Sequence, residues 1–401
     1  MGFFQHRYYK ITKILMSIVG LWPYQPARTS WGCHAIVSLI AVSHIIPQII
    51  AVIEYHNDRE IFLESCISFI FLAAMFAKFF SSKWNAQAVS SLLDRIRMDW
   101  KLSMRILMSD IRNVDKFYTD VLTLFTVIIY STGILFSIQP IGPKIVDVLL
   151  GNGSKPGEFI SPVEYYYFDQ QKYYFYVSIH AMVSVGLGFL VAIANDTMFI
   201  VYVQHSCGIF SALGHDTLNP NYIANIELVE TPWCIERHNE AIEYADLIES
   251  TYSWCFFLIV GCNMLIISIT WLQVDIVNRT TDSQGTSKFI ACNMAAMVHL
   301  YIESYMSQIL IDHSFIKKCN LNRYNGKWYG LSIKAQKAVY LMMMRCNVAC
   351  KLTAGKIAVM SVENFAVVRT FSVSLILHRN TLASAEYCLP KHLWGFSFSR
   401  F

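Results

Sequence analysis

The chain has 401 residues, of which 55% are apolar and only 15% charged, with a mean hydropathy of +0.40 and a formal net charge of +4. Disorder needs low hydrophobicity and high charge, and a nucleic-acid surface needs a much stronger basic excess. The 11 cysteines are odd in number and too dilute for a disulfide framework, which leaves a polytopic, all-α membrane protein.

In chain order, the first 30 residues lack an apolar core followed by a small-residue cleavage site, so the first apolar run is expected to act as its own anchor. A bilayer core needs about 20 mostly apolar residues per helix. Seven stretches fit: 35–53, 61–80, 119–139, 173–194, 252–274, 289–311 and 357–378. The first holds Pro47, which predicts a kink. Glu64 lies in the second, with Lys78 at its end, and Glu303 lies in the sixth. The seventh, the least apolar, holds Glu363 and Arg369, charges that are costly unless they face a partner or water. Asp120 and Asp196 sit at span edges. The Tyr-packed segment 161–176 suits a membrane–water interface. The connections 81–118, 204–250 and 312–356 are long and helix-like, and predict helices that continue beyond the membrane into a packed cytosolic base.

Lysine and arginine set the orientation. The N-terminal segment and the second, fourth and sixth connections hold 20 of them, against 8 in the remaining connections and the tail. The N-terminus is therefore predicted inside and the C-terminus outside. The sequons at Asn152 and Asn278 fall outside in this arrangement, while the one at Asn195 ends the fourth span and is expected to be unreachable. A G-protein-coupled receptor has the opposite orientation. The Asn219-Pro220-Asn221-Tyr222 stretch has the wrong spacing for that class and reads as a turn.

Chemistry is sparse. No phosphate-binding glycine loop, metal-ligand spacing or catalytic constellation is present, so no cofactor and no enzyme activity are expected. Cys346 and Cys350 are spaced by one helical turn without an accompanying His. His205 and His215 flank Cys207 in a helix-like stretch, which reads as packing. His180 and His299 lie within spans and suit interhelical hydrogen bonds as well as ligand contacts. With no inverted repeat, a secondary transporter is disfavoured.

Residues 324–365, YNGKWYGLSIKAQKAVYLMMMRCNVACKLTAGKIAVMSVENF, carry the most specific signal. Tyr324, Trp328, Tyr329, Lys337, Arg345, the Leu352-Thr353-Ala354-Gly355-Lys356 run, Ser361 and Phe365 resemble the C-terminal signature of insect odorant receptors. The stretches 195–213 and 235–249 resemble the same family. The gustatory type of seven-helix receptor is the alternative, with a different signature in its last span.

The resemblance implies an odorant-gated, non-selective cation channel in the plasma membrane of olfactory sensory neuron dendrites. It implies a tuning subunit that forms a heterotetramer with a shared co-receptor and binds a small volatile ligand, with no nucleic-acid partner. Residues 1–311 then hold spans one to six with the ligand-binding bundle, 312–356 form a cytosolic anchor segment, and 357–378 form the pore-lining helix. The pocket implied lies between spans two, three, four and six. Its candidate residues are Ile67, Phe71 and Met75; Ser131, Ile134 and Ile138; Tyr176 and His180; and Met294 and Met297. Val373, Ile376 and Leu377 are candidates for an apolar gate. The 379–401 tail departs from the family pattern, in which the chain ends soon after the last span.

Overall fold

The computed structural model describes residues 7–102, 133, 159–216, 230–279, 283–315 and 332–370. They are almost entirely helical: α1 (Arg7–Ile18), α2 (Ala27–Glu54), α3 (Arg59–Trp84), α4 (Ala86–Leu102), α5 (Tyr174–Asp216), α6 (Glu230–Arg279), α7 (Ser283–Ser314), α8 (Ile333–Cys346) and α9 (362–370). Four of the described segments, within Ala27–Asn57, Arg59–Trp84, Tyr174–Ser211 and Ile235–Val277, are long and apolar enough to cross a membrane.

Local chemistry explains where the helices begin. Asp58 caps α3 by accepting hydrogen bonds from the backbone N–H groups of Glu60 (3.1 Å) and Ile61 (3.3 Å), with Glu60 adding negative charge to the first turn. Pro47 lies inside α2, and its carbonyl accepts from Glu164 N–H at 3.1 Å, which fastens the 159–173 segment across that end of the bundle. Tyr55 donates to Glu164 (2.6 Å) and Tyr166 to Glu54 (3.0 Å) in the same clamp.

α5 and α6 have 43 and 50 residues, so they run for about 64 Å and about 75 Å, twice the ~30 Å hydrocarbon thickness. Their far halves pack with α1, α4 and the end of α7 into a large apolar core that includes Met16, Leu92, Leu93, Ile96, Tyr202, Tyr244 and Leu310. This core forms the basal end of the molecule, opposite the 159–173 clamp.

The last span begins later than expected. Residues 353–359 are a hairpin of two short antiparallel strands, β1 (Thr353–Ala354) and β2 (Ala358–Val359), with Thr353 opposite Val359. Gly355 and Lys356 both have positive φ, +62° and +61°, which no helix accepts. Helix resumes at 362, where the Ser361 hydroxyl accepts from Asn364 N–H at 3.2 Å. The expected start at 357 is therefore corrected by five residues.

Candidate functional site

On the half of the bundle nearer the clamp, α3 presents Ile67, Phe71 and Met75 to its neighbours. Ile67 is buried among Ile266, Ile267, Val274, Phe289 and Ala296, with Met297 packed at the edge. Phe71 joins this cluster to a second one containing Met75, Ala192, Cys255 and Ile259. Its ring lies 5.0 Å from that of Phe189 on α5, tilted by 47°. Gly188 permits this approach, because a Cβ there would meet Met75 Cγ at 3.3 Å and Phe71 Cε1 at 3.5 Å. Gly133, in the predicted third span, comes equally close to Phe189: a Cβ would lie 3.0 Å from its ring. Phe189 is thus held between Phe71 and Gly133.

The other expected pocket positions divide. His180 is tied into a polar network, 2.9 Å from Ser43 Oγ and 3.3 Å from the Tyr165 hydroxyl, with the His44 ring 5.4 Å away. Tyr176 is 76% exposed and Met294 57% exposed, so both point away from the Ile67–Phe71–Met75 face. Ser131, Ile134 and Ile138 lie outside the described residues, as do Val373, Ile376, Leu377 and the 379–401 tail.

Deeper in the bundle is a buried charge cluster that sequence reasoning left as separate charges. Lys78 Nζ on α3 pairs with Asp196 on α5 and with Glu303 on α7 (3.0 Å), and lies 2.8 Å from His299 Nε2. His299 also contacts Asp196 Oδ2 (3.2 Å) and, through Nδ1, Asn263 Nδ2 on α6 at 3.0 Å. All four helices therefore meet in one network. Lys78 and Glu303 are each 2% exposed and Asp196 5%. A buried ion pair resists separation because either partner alone is an uncompensated charge. His299 does serve as an interhelical hydrogen-bond partner, as its position within a span suggested. The one available sequence signal was that Lys78, Asp196 and Glu303 lie at or near the ends of three apolar runs. Glu64 likewise pairs with Lys288. Glu363 and Arg369 on α9 are exposed, with no ion pair among the described residues.

The basal core holds a second set of charges. Asp99 accepts from His205 (2.9 Å) and Arg237 (2.9 Å), and Arg237 also reaches Glu240 at 2.6 Å. Burial alone would raise the Asp99 carboxyl, but His205 and Arg237 outweigh it and hold the group below the ordinary carboxylate range. Cys346 does have a histidine neighbour, His238 at 3.3 Å, supplied by α6 rather than by nearby sequence. α8 ends at Cys346, so Cys350 is not on the next helical turn, and burial pushes its thiol up to about 11.

The hairpin plugs into α6. Gly355 N–H donates to Ser253 O at 2.8 Å, Thr353 N–H donates to Glu249 Oε2 at 2.7 Å, and Gly355 packs on the Phe257 ring. α9 then contacts α7 through Phe365 and Tyr301, ring centres 5.4 Å apart.

A profile of the 7tm odorant receptor family matches residues 59–372, nearly four-fifths of the chain. The chain belongs to the odorant receptor family. The match stops before the 379–401 tail. Solved structures of the insect olfactory receptor OR5 from Machilis hrabei, one of them in complex with eugenol, match this odorant receptor chain with a TM-score of 0.78 at 12% identity, covering 93% of it and 97% of theirs. At that identity the likeness concerns the fold. A sequence comparison with curated proteins gave no match. Family and apolar helices together make the chain an odorant receptor embedded in a membrane.

Proposed function

We propose that this odorant receptor is the tuning subunit of a ligand-gated, non-selective cation channel, assembled with a shared co-receptor in the dendritic membrane of olfactory sensory neurons. The observation that carries the reading is the packing around Phe71. An apolar, aromatic region with few polar groups suits a small volatile ligand. Here Phe71, Phe189, Met75 and Ile67 converge from α3 and α5, with Met297 of α7 at the rim and Gly133 close to Phe189. Ser131, Ile134 and Ile138, with His180 at the clamp end, complete the proposed lining; the exposed Tyr176 and Met294 are left out of it.

A route to the pore follows from α7. Met297 borders the ligand region, and Tyr301, one turn later, touches Phe365 at the start of the seventh span. A ligand that prefers one arrangement of α7 thereby biases α9 and the gate proposed at Val373, Ile376 and Leu377; equal affinity for both arrangements would shift nothing. α8 leaves Ile333, Tyr340, Leu341 and Met344 exposed, which supports subunit contacts through the 312–356 anchor segment.

The test is electrical: currents from cells expressing this chain with and without the co-receptor under a broad panel of volatile compounds, using both the full chain and one ending at Asn380. Odorant-evoked cation currents that require both chains are expected. Currents of equal size from the co-receptor alone, with this chain delivered to the surface, would remove the tuning-subunit reading.

A further inference from the structure

No acidic residue precedes Glu54 in the chain, while Arg7, Lys10, Lys13 and Arg28 all fall before it. Helix α1 lies within this basic stretch and has two apolar faces. One turns inwards: Tyr9, Leu15 and Met16 belong to the basal core, with Thr12 buried beside them. The other turns outwards: Ile11, Ile14 and Ile18, at i, i+3 and i+7, are 50%, 48% and 52% exposed. Lys10 and Lys13 run along one flank of this outer stripe, and neither has an ion pair among the described residues. A continuous apolar stripe left on a helix surface calls for a cover.

Contacts fix the level of α1 against the bilayer. Gly20, two residues past its end, is pressed against the start of α2: a Cβ there would lie 2.7 Å from Ser30 O, and Ser30 Oγ donates to Gly20 O at 2.7 Å. Next to Ser30, Trp31 is exposed and lies 4.8 Å beneath the Lys83 ammonium of α3. Trp84, the last residue of α3, is 90% exposed. Asn85 donates to Thr251 O at 3.0 Å, which brings the exposed Trp254 of α6, one turn on, to the same level. Exposed tryptophans at corresponding ends of three apolar helices mark a membrane–water interface. The end of α1 therefore sits at that interface.

We propose that the outer face of α1, with the exposed Arg28, docks anionic phospholipid in the leaflet where α2 begins. The isoleucines meet acyl chains, and the lysines meet phosphate and carboxylate headgroups. The absence of any acid before Glu54 makes the charge match one-sided. Asp94, which accepts from Tyr24 at 2.6 Å just after α1, pairs with neither lysine among the described residues. A protein occupant fits less well, because it would have to displace lipid from the interface and bring acids to both lysines. Since Leu15 and Met16 pack into the basal core, lipid held on α1 steadies the joint between base and bundle.

The experiment follows hydrogen exchange of residues 7–18 in the full-length chain, in nanodiscs of phosphatidylcholine with or without about 30% phosphatidylserine. At low ionic strength the anionic lipid is expected to slow exchange there by about threefold or more, and about 0.5 M salt should erase most of the difference. Lys10→Gln with Lys13→Gln should lose the slowing. Lys172→Gln, which removes a lysine at the clamp end, should keep it. Equal exchange in the two lipids overturns the proposal, as does a lipid effect that survives in the double lysine variant. Protection of residues 7–18 that appears only when the co-receptor is added, in either lipid, would overturn it in favour of a protein occupant.

Discussion

Lys78 shows how one residue holds several helices. Its ammonium pairs with two carboxylates that are nearly inaccessible to water. Lys78→Met should therefore cost about 3–5 kcal/mol, the usual penalty for leaving buried charges unpaired. The expected result is a large drop in the thermal midpoint and in surface delivery. Adding Asp196→Asn returns the net charge to the wild-type value and should recover part of the loss; failure of the double variant to exceed the single one would contradict this. Asp99 offers a milder case with a pH signature. Its folded-state carboxyl lies below its unfolded value, near 3.9 for a free Asp, because His205 and Arg237 hold the charged form. The group binds protons more readily when unfolded, so its stabilisation is complete above that unfolded value and is lost as pH falls through the folded one. Stability curves of wild type and Asp99→Asn should differ above about pH 4 and converge in stronger acid. The residue-level chemistry was only partly legible beforehand. Hydropathy along the chain located Lys78, Asp196 and Glu303 but carries no information on which helices face one another, and the His238–Cys346 contact spans over a hundred residues.

At the scale of elements, apolar runs located α2, α3, α5, α6 and α7, and the helix-like pattern of the connections pointed to helices continuing beyond the membrane. The fourth and fifth spans, placed at 173–194 and 252–274, do continue without interruption into the base, to Asp216 and from Glu230. Nothing in residues 195–211 breaks a helix, and the polar turns there face the packed base rather than lipid. The start of the seventh span was not legible. Ile357, Ala358, Val359 and Met360 are as apolar in a strand as in a helix, so hydropathy cannot separate the two. Backbone angle at Gly355 and Lys356 decides it. Gly355→Ala meets two penalties, a left-handed φ and a Cβ 3.0 Å from the Phe257 ring, and should destabilise the hairpin by about 1–2 kcal/mol. Because the hairpin joins α6 to α9, the expected functional result is a weaker evoked current at normal surface density. Phe257→Ala in the same chain should relieve the contact but not the backbone strain, giving partial rescue. Full rescue would mean that φ is irrelevant there.

For the whole molecule, the decisive expectation is its direction in the membrane, which the lysine and arginine asymmetry assigns as N-terminus inside. The packing bears on the sequons unequally. Asn195 is 4% exposed, donates to Val191 O at 2.8 Å and accepts from Ser82, so no glycan can be attached there in the folded chain. Asn278 lies at the end of α6, on the same side as the 159–173 clamp, and the sequence pattern leads us to expect Asn152 on that side too. Endoglycosidase treatment of the expressed receptor should therefore reduce its apparent mass, and Asn152→Gln with Asn278→Gln should abolish that shift. Asn195→Gln should leave the glycan shift intact while lowering the unfolding midpoint, because the longer side chain disturbs a filled site beside the Lys78 cluster. Epitopes at the two ends complete the test: one at the N-terminus should stain only after permeabilisation, and one at the C-terminus should stain intact cells. Staining of an N-terminal epitope on intact cells would reverse the orientation. The long ends of α5 and α6 would then form an extracellular rather than a cytosolic base, and the buried Lys78 cluster would lie towards the outer leaflet.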